Sequence, residues 1–86
     1  MVFLIEYDRA RGRVVKLSGF EDSAREQAED ARLALELRLN YLGVEREVVL
    51  LEASTEEALR HTHRRYFEDV AGLTRTPGID SNQNGP

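Results

Sequence analysis

Cysteine and tryptophan are absent from this 86-residue chain, proline occurs twice, and aromatic residues make up 7% of it. Without cysteine no disulfide can brace the fold, and neither a CxxC redox pair nor a thiolate zinc site can form. The same lack fits a reducing compartment. Long apolar runs are also missing. The opening segment MVFLIEYDR has no basic lead-in and turns polar at Glu6, so neither a secretory signal nor a membrane span is expected, and the cytoplasm is the expected location. No GxSxG, P-loop or strand-borne GxGxxG motif occurs, which leaves common nucleophile and nucleotide chemistries without a carrier.

What is present reads as globular, with 41% apolar and 33% charged residues. A single α+β domain is expected over residues 1–71. From Gly72 the composition shifts to Thr, Pro, Gly, Ser and Asn, so residues 72–86 are expected to form a flexible C-terminal tail. A core built from about 70 residues supplies only roughly 3–5 kcal/mol, and self-association is the reinforcement left once disulfides and structural zinc are excluded.

The net charge of −4 is unevenly spread. Residues 1–20 carry four basic and two acidic groups, residues 21–45 three and seven, and residues 46–71 four and six. An acidic chain is a poor non-specific polyanion binder, although local basic patches remain.

Residues 2–7 are dense in β-branched, aromatic and aliphatic side chains and read as a central strand. Gly12 suits the positive φ of a hairpin loop, and residues 13–18 make the return strand, with Arg13 and Lys16 fitting an edge. Ser23 followed by Glu26 has capping-box spacing, so a helix is expected from there to about Leu42, with Gly43 as its stop. Ala24, Ala28, Ala31, Leu35, Leu39 and Leu42 share one arc and are expected to face the sheet. Arg25, Glu29, Arg32 and Glu36 form a ladder of opposite charges on the far side. Residues 47–53 form a third strand. Ser54-Thr55-Glu56-Glu57 opens a second helix, expected to run to about Val70 with Leu59, His63, Tyr66 and Val70 as its stripe.

A hairpin followed by a helical crossover predicts a three-stranded antiparallel sheet of order 2-1-3, a split β-α-β in a ββαβα chain. Both helices are expected on one face, giving a two-layer sandwich. Yet both faces of the first and third strands are apolar, where a solvated antiparallel face should alternate with polar residues. A second body is therefore expected to cover the free face. The partner surface read from the sequence comprises Val2, Leu4, Val48 and Leu50 on the strands, with Leu33, Leu37 and Tyr41 on a helix flank that points away from the main stripe. Packing of the second helix against that flank is the intramolecular alternative; a homodimer joined by sheet faces, strand edges or helix flanks is the other.

His61 and His63 are two apart, so on a helix their rings diverge and cannot share one ion; His63 reads as a partly buried, hydrogen-bonded residue and His61 as exposed. No metal or cofactor site is expected. Arg9, Arg11 and Arg13 cluster at the hairpin tip, and Arg60, His61, Arg64 and Arg65 on the second helix. These form candidate anion-binding patches, with phosphate contacts from the arginines and stacking by Tyr66 or Phe67. The plainer account is that hairpin tips are commonly charged, that cations favour the late turns of a helix, and that the two aromatics are core. Glu26, Glu29, Asp30 and Glu36 share open helix surface rather than a pocket that would shift their pKa. Three readings remain: a non-enzymatic protein-interaction module that homodimerises, an anion- or nucleic-acid-binding accessory protein using the arginines, and, least favoured, a small enzyme with a pocket between subunits.

Overall fold

Seven consecutive buried residues, Val2–Asp8, form the middle strand of the sheet. In the computed structural model, which describes residues 1–68, β1 (Val2–Asp8) is flanked by β2 (Arg13–Phe20) and β3 (Glu47–Glu52), and both pairings are antiparallel. The order is β2-β1-β3, as the hairpin and crossover require. The domain is α+β, with helices α1 (Arg25–Leu42) and α2 (Glu56–Thr62). The expected tail, residues 72–86, and the expected end of the second helix at Val70 lie outside the described residues.

The hairpin closes as its residues dictate. The Asp8 carbonyl accepts from Gly12 N at 2.7 Å and the Asp8 carboxylate from Arg11 N at 3.1 Å, while Gly12 takes φ 66°, a region that side chains disfavour. Lys16 pairs with Glu6 and Val14 with Tyr7, so Val15 is left over as a bulge and remains 48% exposed. Gly43, at φ 69°, ends α1.

The two helices lie on opposite faces, not on one. Leu59 of α2 and Tyr66 of the following 3₁₀ turn (Arg64–Tyr66) pack with Phe3, Ile5 and Tyr7, joined by Val14, Leu17, Val49 and Leu51. On the reverse face Ala31, Ala34, Leu35 and Arg38 of α1 stand across from Leu4, Glu6, Lys16, Ser18 and Phe20. Both faces of β1 are buried and carry apolar side chains, and a narrow sheet favours one helix on each. Three strands about 4.8 Å apart give a platform barely wider than one helix, whereas two helices side by side need roughly 8–10 Å between axes. With α1 along one face, α2 covers the other, where Phe3, Ile5 and Tyr7 also need shelter. The apolar character of both strand faces is thereby satisfied within the chain, and the expected two-layer sandwich becomes helix, sheet, helix.

Three local expectations also change. Ser23 lies inside a 3₁₀ turn, Asp22–Ala24, and makes no cap; α1 starts after Ala24. At α2 the cap is Thr55, extended at φ −144°, whose Oγ1 accepts from Ala58 N at 3.0 Å. The α-helix stops at Thr62 because His63 leaves the helical region at φ −125°, ψ 54°, and the Thr62 hydroxyl donates back to the Ala58 carbonyl at 3.1 Å. That break lets Tyr66 turn in toward Tyr7, with ring centroids 5.1 Å apart and planes at 88°.

The sheet-facing side of α1 is centred on the fully buried Ala28. Arg25 does not join a solvated ladder but pairs with Glu52 of β3, and Arg32 and Glu36, 3.6 Å apart, are half-buried. Leu42, expected on the sheet, is exposed at the C-terminal end of the helix.

Candidate functional site

Two surfaces assemble from the residues singled out in the sequence, and one group of residues drops out. Val2 and Leu4 are 1% and 7% exposed, sealed within the chain on the side of α1, so they present nothing to a partner. Val48 and Leu50 are half-buried on the same face of β3. The expected free sheet face therefore does not exist. The helix flank does: Leu33, Leu37 and Tyr41 are 54%, 61% and 89% exposed. Spaced by four, they form a ridge on the side of α1 opposite Ala28. Helix α2 does not reach this ridge, because it belongs to the other face of the sheet. Leu42 adds exposed apolar surface near the ridge's end.

The second surface lies around the hairpin tip and the end of α2, which the fold brings together. Arg9 approaches Glu47 at 3.8 Å from the hairpin, and Arg65 reaches the same carboxylate at 2.7 Å from the 3₁₀ turn. Tyr66 donates its hydroxyl to Glu47 Oε2 at 2.5 Å, while Arg65 donates to the Tyr66 oxygen at 2.7 Å and its guanidinium lies 4.1 Å over the Tyr66 ring. Beside this network Arg11, Arg13 and Arg60 line a single open cleft with Val14, Leu17, Tyr66, Phe67 and Glu68. Arg60 is held by Glu56 at 2.7 Å and lies 4.5 Å over the Phe67 ring. Arg11 stands 3.7 Å from Asp8, and Arg64, which is not part of the cleft lining, pairs with Glu68 at 3.1 Å. His61 is exposed. His63 is half-buried with its Nδ1 2.9 Å from the Thr62 hydroxyl.

No known protein family, curated protein or solved structure matches this chain. Its surfaces are read from their own chemistry. Among the described residues, no helix is long and apolar enough to cross a membrane.

Glu47 was not singled out in the sequence, where it looked like the first polar residue of a strand. Its alternation did hold a signal: it falls on the same face as Val49 and Leu51, where a charge needs a partner. The hydrogen bond from Tyr66, aided by the charges of Arg65 and Arg9, holds its carboxyl below the ordinary carboxylate range against the opposing effect of burial. Burial first, and then donation to Glu47, push the Tyr66 hydroxyl up from its ordinary range. Linkage fixes the direction of both effects. The Glu47 contribution to stability is present above the ordinary carboxylate range and is lost as pH falls through its folded-state value. The Tyr66 contribution is present below the ordinary tyrosine range and is lost as pH rises through its raised value. Urea midpoints measured across pH should fall at both ends, and Tyr66→Phe should flatten both limbs.

Proposed function

We propose that this protein is a non-enzymatic interaction module that homodimerises through the outer face of α1. The observation that carries this reading is the exposed ridge of Leu33, Leu37 and Tyr41 on a helix whose other side is already committed to the sheet. Single exposed leucines are ordinary, but a contiguous stripe marks a binding surface. The spacing also suits a second copy. A twofold axis through Leu37 sets that residue against itself and Leu33 of each chain against Tyr41 of the other, a self-complementary antiparallel pairing. A small hydrophobic core gives such pairing a further stabilising role.

Sedimentation equilibrium tests it. A dimer is expected at tens of micromolar, and Leu37→Glu should weaken it by about a hundredfold or more, because the new carboxylate acts twice across the axis. A wild-type monomer at that concentration, or a dimer indifferent to Leu37→Glu, overturns the reading.

A second reading, anion binding by the arginines, is favoured by one observation: Arg11 and Arg13 from the hairpin and Arg60 from α2 converge on one cleft. With a net charge of −4, long-range repulsion disfavours a nucleic-acid polyanion more than a single small anion.

A further inference from the structure

We infer that the cleft between the hairpin tip and the end of α2 binds a small flat aromatic molecule carrying one anionic group, such as an aromatic carboxylate. This rests on the anion-binding reading above and narrows it to a ligand class; it is independent of the dimer. The cleft has a volume of about 820 Å³, within the range of small-molecule sites. Its lining divides by chemistry. Val14, Leu17, Tyr66 and Phe67 supply apolar and aromatic surface, and Arg11, Arg13 and Arg60 supply guanidinium groups from two separate elements.

The arginines are available at small cost. Arg13 has no ion-pair partner among the described residues, the Arg11–Asp8 separation of 3.7 Å is long for a hydrogen bond, and the Arg60–Glu56 pair is exposed. Exposed pairs of this kind contribute little, so a guanidinium can turn from its carboxylate to a ligand without a large loss. A guanidinium is also planar and stacks on aromatic rings, as Arg60 already does on Phe67. An aromatic ligand body can extend that stack while its anionic group takes charge-assisted hydrogen bonds from Arg13 and Arg11. A bare inorganic anion would use only half of this lining, and a neutral aromatic the other half. Glu68 also lines the cleft and by itself repels an anion, but it already pairs with Arg64 and is outnumbered by three guanidinium groups, so the lining as a whole favours an anionic ligand.

The test uses the full-length protein labelled with nitrogen-15 and titrated with 2-naphthoate, with acetate and 2-naphthol as the two halves of the probe. Naphthoate is expected to move the backbone amide signals of Gly12, Arg13, Leu17 and Phe67, with acetate and naphthol each binding at least about tenfold more weakly, the factor expected from losing one set of contacts. The Arg13→Gln/Arg60→Gln double variant should lose naphthoate binding by a similar factor while its other amide positions show an intact fold. Arg25→Gln, on the far face, should leave binding unchanged. Acetate binding as tightly as naphthoate overturns the aromatic requirement while leaving the anion reading intact. Naphthol binding as tightly, or full naphthoate binding by the double variant, overturns both.

Discussion

Leu59→Ala is expected to lower the free energy of unfolding by about 3 kcal/mol, within the range for emptying a packed leucine site. Leu59 is completely buried and is the point at which α2 meets Phe3, Ile5 and Tyr7. Truncation removes three carbons from the centre of that layer. Helix α2 is only seven residues long and has little stability of its own, so it cannot close the gap by holding its position independently. For a domain this small the loss is a large share of the total stability. Urea unfolding followed by far-ultraviolet circular dichroism measures it. The control is Leu37→Ala, on the exposed ridge, read at a concentration below dimer formation, where a change within roughly 0.5 kcal/mol is expected. Equal losses for the two variants would mean that the α2 layer is not part of the cooperative core.

Arg46→Met is the second large effect. Glu6 points from the middle strand into the α1 face, where only 10% of its side chain is exposed, and Arg46 Nε stands 3.2 Å from its Oε2. The approach is not an aligned hydrogen bond, and that nitrogen is buried without another partner, so the attraction is mainly coulombic. Removing the cation leaves a largely buried carboxylate without its ion-pair partner, with Lys16, its cross-strand neighbour, and Arg38 of α1, which stands across from it, as the remaining nearby cations. A loss of about 2–4 kcal/mol is expected, somewhat below that for a fully buried pair because Arg46 is partly solvated. Glu6→Leu/Arg46→Met should recover most of the loss, since two apolar side chains need no partner there. Failure of the double variant to recover would show that Arg46 acts through packing rather than by neutralising Glu6.

Much of the fold was legible because it depends on local patterns. The apolar run Val2–Tyr7 identified the central strand, Gly12 and Gly43 marked the two positions of positive φ, and a hairpin joined to a helical crossover left little choice of strand order. The helix caps were less legible. Only Ser54 has a glutamate three residues later, at Glu57, yet the backbone places the cap one residue on, at Thr55, whose third residue is Ala58. The break after Thr62 was invisible to periodicity, since Leu59 and Tyr66 keep helical spacing even though the turn between them is 3₁₀.

The candidate sites divide in the same way. The ridge of Leu33, Leu37 and Tyr41 was readable because helical spacing alone puts those residues together. The cleft was only half readable: two arginine clusters stood out in the sequence, but their convergence depends on which face α2 takes. Val2 and Leu4 show the reverse error. Their apolar character was correctly read as needing cover, but the cover was assigned to another molecule when it lay within the chain.

By itself the amino-acid order determined the elements, their pairing and the need to shelter both sides of the middle strand, because propensity, turn chemistry and alternation act over a few residues. Only the tertiary structure decided which helix shelters which side, since that choice rests on contacts between residues far apart in the chain, Leu59 and Tyr66 with Phe3, Ile5 and Tyr7 on one face and α1 with Leu4 and Phe20 on the other. From that choice follow the outward ridge of α1, the meeting of Arg11 and Arg13 with Arg60, and the pairing of Tyr66 with Glu47.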